Sequence, residues 1–149
     1  MKKIIIGSDH GGFELKKFLI PYLKGLGYEV VDYGCYTSDP VDYPDIALSV
    51  AQDIAVSLES RGIIIDGTGV ASAIVANKIR KIRATPCTDE FTAQSAREHN
   101  DSNILTLGAR VITTELAERI VKTWLKTPFG GGRHERRVNK IREIEKKLL

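Results

Sequence analysis

Short apolar runs alternate along the chain with longer segments in which apolar residues recur every three or four positions. The runs predict five strands, at 3–8, 28–33, 62–65, 84–87 and 104–107. The periodic segments predict six helices, at about 13–26, 45–59, 70–79, 90–98, 114–126 and 134–148. Repeated strand, helix, strand units indicate an α/β fold, a three-layer α/β/α sandwich around a five-stranded parallel sheet.

The order of the first three strands decides where a ligand would bind. If the order begins 2-1-3, the chain reverses direction between the first and third strands, and open α/β sheets bind ligands at such a switch point. The two loops that meet there are 8–12, Ser-Asp-His-Gly-Gly, and 66–69, Asp-Gly-Thr-Gly. The order of the fourth and fifth strands does not follow from the sequence.

The segment 62–78 joins a buried strand, a glycine turn and the start of a helix. Gly67 and Gly69 allow a sharp turn whose free amides point outward, and the helix dipole adds positive potential. This combination favours a phosphate or a developing oxyanion as the ligand. Asp66, an acidic group at the carboxyl end of the strand, indicates chemistry in addition to binding.

Length and composition fit one domain, residues 1–149, since a chain of 149 residues with 42% hydrophobic residues is too short for two ordinary domains. The first ten residues are basic and reach an aspartate after three isoleucines, unlike a signal peptide, and no segment is apolar enough to span a membrane. We therefore expect a cytoplasmic protein. Cys35 and Cys87 are expected to be free thiols.

The formal net charge of +3 is confined to the end of the chain, because residues 133–149 contain seven Lys and Arg against three Glu. A nucleic-acid surface is one interpretation, but no aromatic residues are interleaved with these charges. We favour a solvated helix that presents one or two arginines to a phosphate. Arg133 and Arg137 are four residues apart and share one helix face, although an exposed arginine face is an equally good interpretation of the spacing alone.

The three histidines lie in polar surroundings, not on apolar stripes. His10 and His99 have neighbours typical of a site, whereas His134 is expected to be an ordinary surface residue. No pair has the spacing of metal ligands on one element, so we predict no metal.

Six motifs in order resemble the ribose-5-phosphate isomerase B family, related to galactose-6-phosphate isomerase. They are Ser-Asp-His-Gly-Gly at 8–12, Asp-Tyr-Pro-Asp at 42–45, Gly-Thr-Gly at 67–69, Ala-Asn-Lys at 76–78, Arg-Glu-His-Asn at 97–100 and Gly-Gly-Arg-His at 131–134. The resemblance covers essentially the whole chain. It implies a Rossmann-like fold, an aldose–ketose isomerase without a cofactor, and a homodimer or homotetramer with active sites shared between subunits.

The resemblance also implies roles for individual residues. His99 would open the sugar ring with Thr68 nearby, Asp9 and His10 would line the pocket, and Tyr43 would close its wall. The enediolate oxygens would be held by Asn100 and by the amides of Gly67, Gly69 and Val70. Phosphate would be bound by Arg110, Arg133 and Arg137, some of them from the partner subunit. The helix at 134–148, whose apolar seam is narrow, is expected to pack on that partner.

The chain departs from the family where the proton is moved between carbons 1 and 2. Asp66 replaces the usual cysteine, and Ala71 and Ser72 replace a glycine and a bulky residue. Another branch of the family has a glutamate in place of Ser72. We predict that Asp66 is the base of a ribose 5-phosphate isomerase. Two alternatives stay open: an isomerase of allose 6-phosphate, galactose 6-phosphate or a four-carbon sugar phosphate, and a non-catalytic protein that binds a sugar phosphate.

Overall fold

The structure is a computed structural model that describes residues 2–149, and its centre is a five-stranded sheet in which all strands are parallel. In chain order the strands are β1 Lys3–Ser8, β2 Glu29–Asp32, β3 Arg61–Asp66, β4 Ala84–Pro86 and β5 Ile104–Gly108. Their order across the sheet is β2-β1-β3-β5-β4. The predicted fold class is confirmed, and the order begins 2-1-3, which was the condition for a switch point between β1 and β3. The pair that the sequence left open is resolved with β5 inside and β4 at the edge.

Six helices accompany the sheet. They are α1 Phe13–Gly25, α2 Tyr43–Val56, α3 Val70–Ala76, α4 Glu90–Asn100, α5 Thr114–Lys126 and α6 Arg133–Leu148. The third helix is shorter than predicted, and the fourth continues through residue 100. Asp89 begins α4 with a side-chain cap to the amide of Thr92.

The sheet is covered on both faces. Ile4 and Ile6 of β1 pack with α1, α4 and α5, whereas Ile5 faces the other way and packs with α2 and α3. The isoleucines of β3 alternate in the same manner. Consecutive isoleucines are therefore needed because both faces of each central strand are buried. Three layers result, in agreement with the prediction.

Helix α6 lies outside these layers, against α4 of its own chain. Val138 is the residue of α6 that is fully buried, at 1% exposure. Ile141, Ile144 and Leu148 remain exposed, Leu148 at 77%. An apolar seam with so little cover within residues 2–149 agrees with the expectation that α6 contacts a partner, which stays a prediction.

Candidate active site

The carboxyl ends of β1 and β3 bring the two predicted loops together at the switch point. The amide of Asp9 donates to the carbonyl of Ile65 at 3.2 Å. Gly12 packs so closely on β3 that a Cβ there would lie 2.5 Å from the Ile65 carbonyl oxygen, which requires glycine. The Asp9 carboxylate caps the short 3-10 turn that follows by accepting the Gly12 amide at 3.1 Å. The first loop is therefore fixed against the second.

The Asp66 carboxylate is buried, at 4% exposure, and accepts four hydrogen bonds. Oδ1 accepts the amides of Thr68, at 3.2 Å, and Gly69. Oδ2 accepts the amide of Ser72 at 3.0 Å and its hydroxyl at 2.9 Å. Both oxygens are thus engaged by the loop and by the first turn of α3. The carboxylate closes the glycine turn and compensates the positive end of that helix.

This arrangement changes the expected anion site. The amides of Thr68 and Gly69 point inward to Asp66, and the amide of Val70 donates to Thr68 Oγ1 at 3.2 Å. Gly69 adopts a φ of 81° and lies so close to β5 that a Cβ there would be 3.0 Å from the Leu107 carbonyl carbon. In this conformation, the glycines shape the loop around a carboxylate of the protein itself.

Three more predicted residues lie at the same edge of the sheet. His10 Nδ1 accepts the amide of Val41 at 3.2 Å, an arrangement that leaves the proton of a neutral ring on the exposed Nε2. The Arg110 amide donates to the Gly67 carbonyl at 3.0 Å, and its side chain runs beside Gly67. Tyr43 begins α2 and is 39% exposed. The guanidinium of Arg110, the imidazole donor of His10 and the aromatic ring of Tyr43 are groups that suit the binding of a phosphorylated sugar.

The other four predicted residues are at the opposite edge. Helix α4 runs back along the sheet, so His99 and Asn100 lie near the amino ends of β4 and β5, where the Asn100 carbonyl accepts Arg83 Nε at 2.9 Å. The start of α6, with Arg133 and Arg137, lies beside them. The rings of His99 and His134 stack with centroids 4.2 Å apart.

The His134 imidazole therefore has neighbours that its sequence context did not reveal. Burial lowers the pKa of His134 from 6.5, and the charges of His99, Arg133 and Arg137 lower it further, with Glu98 acting in the opposite direction. Two of the three predicted phosphate-binding arginines, Arg133 and Arg137, thus lie in one cluster with His99, the predicted ring-opening histidine.

Strand length separates the two groups of predicted residues. Nine of them lie at the carboxyl edge: Asp9, His10, Tyr43, Asp66, Gly67, Thr68, Gly69, Val70 and Arg110. A six-residue strand such as β3 spans about 17 to 20 Å, which is longer than a sugar phosphate of five or six carbons. One chain does not surround such a substrate with both groups.

One set of interactions near His99 was missed from the sequence. Asp101 follows α4 in the left-handed region, with a φ of 48°, and its carboxylate binds Arg97 at 3.0 Å and Arg83 at 3.4 Å. These pairs fix the turn that carries His99 and Asn100. The spacing of four between Arg97 and Asp101 was the available signal, but the contribution of Arg83 depends on the fold.

Two features are absent from residues 2–149. No three His, Cys, Asp or Glu side chains are grouped so that they could hold a metal ion. None of the helices in this range is long and apolar enough to cross a membrane.

Comparison with known proteins identifies relatives over the whole chain. The profile of the Ribose/Galactose Isomerase family matches residues 4–141. Ribose-5-phosphate isomerase B of Escherichia coli is 46% identical over 147 residues, 99% of each chain. D-erythrulose-4-phosphate isomerase of Pectobacterium atrosepticum is 42% identical over 142 residues, 95% of this chain and 93% of the relative. The solved structure of ribose-5-phosphate isomerase B from Clostridium thermocellum superposes with a TM-score of 0.96 at 53% identity, covering 99% of both chains.

Proposed function

Because the chain belongs to the ribose/galactose isomerase family, we propose that it interconverts ribose 5-phosphate and ribulose 5-phosphate through an enediolate and without a cofactor. It is a sugar-phosphate isomerase of the aldose–ketose class. The observation that supports the substrate class best is the meeting of Asp9, His10 and Arg110 with the loop 66–72 at the switch point of the sheet.

The proposed roles follow the chemistry of each group. The Arg110 guanidinium and the Nε2 proton of His10 bind anionic or hydroxyl oxygens of the sugar phosphate. His99 and Thr68 open the ring, and Asn100 and the Gly67 amide hold the enediolate oxygens. Arg133 and Arg137 bind the phosphate. No bond to a metal is needed, since an enediolate is stabilised by hydrogen-bond donors.

Asp66 stays our candidate for the base that removes the proton from one carbon and returns it to the next. Three of its four donors are backbone amides, and the fourth is the Ser72 hydroxyl. Only the hydroxyl can turn away by rotation of a side chain. We propose that Ser72 releases Oδ2 when substrate binds, so that this oxygen accepts the proton.

We propose further that a homodimer completes each site, with Asp66 and Thr68 from one chain and His99 and Arg137 from the partner. The separation of the two groups by the length of β3 supports this arrangement. The cytoplasmic location belongs to the same proposal and is supported by two free, buried cysteines, which are typical of a reducing compartment.

Mixing two inactive variants tests the shared site. Asp66→Ala and His99→Ala proteins, unfolded and refolded together, would give about half mixed dimers, each with one intact site, so that activity returns to about a quarter of wild type. Each variant refolded alone is the control and stays inactive. Confirmed mixed dimers without activity would contradict the proposal.

A second substrate is favoured by a specific observation, the 42% identity to a D-erythrulose-4-phosphate isomerase together with the unusual Ala71 and Ser72 in the loop. The test is a screen of ribose 5-phosphate, D-erythrulose 4-phosphate, allose 6-phosphate and galactose 6-phosphate, each with and without chelator. We expect the highest kcat/KM for ribose 5-phosphate in both conditions. A better four-carbon substrate would replace our proposal, loss of activity in chelator would remove its cofactor-free part, and binding without turnover would favour a sugar-phosphate-binding protein.

A further inference from the structure

A cavity of about 800 Å³ opens at the amino edge of the sheet and contains none of the thirteen predicted site residues. Eight of its lining side chains are Lys or Arg, and three are Asp or Glu. We call it the basic cavity and define it by Arg61, Arg83, Arg97 and Arg142, which converge on it from β3, the start of β4, α4 and α6. Its volume lies within the range of small-molecule sites.

The acidic residues leave this positive charge uncompensated. Asp101 alone is shared by three guanidinium groups, with Arg97 at 3.0 Å, Arg83 at 3.4 Å and Arg142 at 3.9 Å. Arg61 has no carboxylate partner within residues 2–149, and its Nη1 donates to the carbonyls of Trp124 and Leu125 at 3.3 and 3.4 Å. A guanidinium group without a carboxylate partner thus lies near a carboxylate that three other guanidinium groups share.

Burial and repulsion among these charges lower the pKa of several of them. Burial, and after it the charge of Arg97, lowers the pKa of Arg61 to about 10. The pKa of Arg83 is also lowered, first by burial and then by Arg142 and Arg97 against the attraction of Asp101. The pKa of Lys2 is lowered mainly by Arg61. Like charges brought together in a cleft destabilise the protein until an anion enters.

We propose that the basic cavity binds a small anion that carries two or more phosphate groups. Guanidinium groups match phosphate oxygens in pairs, and an excess of five cationic over acidic side chains exceeds what a single phosphate compensates. A concave site lined from four elements suits a small molecule, whereas nucleic acids require an open basic stripe.

The ligand would also contact the active-site scaffold. Arg83 donates from Nε to the Asn100 carbonyl at 2.9 Å and from Nη2 to the Asp101 carbonyl at 3.0 Å. An anion that binds Arg83 would therefore compete with these hydrogen bonds, which hold the turn that carries His99 and Asn100. The binding itself does not depend on the proposed reaction, because the residues of the cavity are separate from those of the active site.

Titration calorimetry of the full-length protein with inorganic pyrophosphate tests the proposal, with inorganic phosphate for comparison. We expect one pyrophosphate bound per chain, more tightly than phosphate, and a higher Tm in its presence. Arg61→Gln and Arg142→Gln should each weaken pyrophosphate binding about 10- to 100-fold. Their Tm without anion should stay close to that of wild type, because the contacts that each arginine loses are offset by removal of a repelling charge. An unchanged Tm would also show that both variants fold.

The matched control is Arg119→Gln, which removes an exposed arginine of α5 that lies outside the cavity and should leave binding unchanged. Arg110→Gln and Arg137→Gln identify binding at the active site instead. If these two weaken pyrophosphate binding and the cavity variants do not, the proposal is wrong. The absence of binding at millimolar pyrophosphate would also overturn the proposal. So would a single-stranded oligonucleotide that binds more tightly than pyrophosphate, if its binding depends on Arg61 and Arg142.

Discussion

Asp66→Asn is predicted to destabilise the loop as well as to remove the candidate base. An asparagine amide retains one oxygen, which can still accept the amides of Thr68 and Gly69. Its nitrogen would then face the Ser72 amide, so that two donors meet in a buried position. The Ser72 hydroxyl can turn to accept, but the backbone amide cannot.

The magnitude follows from these contacts. A buried amide without an acceptor costs about 1 to 3 kcal/mol, and bonds to a neutral instead of a charged acceptor are weaker, so we expect a total loss of about 2 to 4 kcal/mol. For a protein of about 150 residues this lowers Tm by about 4 to 16 °C. Turnover should fall to a small fraction of wild type if Asp66 is the base.

The assay combines thermal unfolding, followed by near-ultraviolet circular dichroism, with isomerase activity measured well below the lower Tm. Asp39→Asn is the matched control, since its exposed side chain accepts no hydrogen bond within the described part of the chain, and it should change the free energy of unfolding by less than about 0.5 kcal/mol. Ser72→Ala removes one donor only and should cost about 1 kcal/mol while turnover is retained. An Asp66→Asn protein as stable as wild type would refute the capping role, and unchanged turnover would exclude the base.

Three further predictions concern His134, the thiol of Cys87 and the phosphate contact of Arg137. The imidazole of His134 should titrate by NMR with a midpoint below 6.5, and His99→Gln should raise that midpoint. Because the pKa is lowered in the folded state, the contribution of His134 to the free energy of unfolding is present above about pH 6.5 and is lost as the pH falls toward the lowered pKa. A midpoint above 6.5 would contradict this prediction. Cys87, whose pKa is raised mainly by burial, should react with a thiol reagent more slowly than free cysteine at pH 8 and at the ordinary rate in denaturant. Arg137→Ala should raise KM for the sugar phosphate about 10- to 100-fold, whereas Arg136→Ala, on another face of α6, should leave it near wild type.

The fold was predictable because both faces of the sheet leave a pattern in the sequence. A strand buried on both faces was predicted from three consecutive isoleucines, Ile63, Ile64 and Ile65. The three-layer architecture was predicted from the alternation of strands and helices. The order of β4 and β5 was not accessible, since the pairing Ala84 to Ile104 depends on tertiary packing that periodicity does not record. Helix ends were missed by a few residues for the same reason.

The site was predictable in composition but not in its internal contacts. The loop at 66–69 followed from the strand and the glycines, whereas its position at the switch point depended on the order 2-1-3, which was a condition in the sequence analysis and is shown by the structure. That the loop amides turn inward did not follow, because an aspartate before a glycine turn can accept them or leave them free. The role of Ser72 in binding Asp66 also requires the geometry of the first turn of α3.

The contacts of Asp66 give a physical reason why the unusual residues of this loop occur together. A cysteine at position 66 could not accept amides from Thr68, Gly69 and Ser72 as a carboxylate does, because a thiol is a weak acceptor. A glutamate at position 72 would place a second negative charge beside Asp66, where the serine hydroxyl now donates a hydrogen bond at 2.9 Å. Aspartate and serine are therefore matched, and each would be unfavourable without the other. Because the hydroxyl is the one side-chain donor among the four, Oδ2 is the oxygen that can be freed while α3 keeps its first turn, and any proton transfer by Asp66 should use that atom.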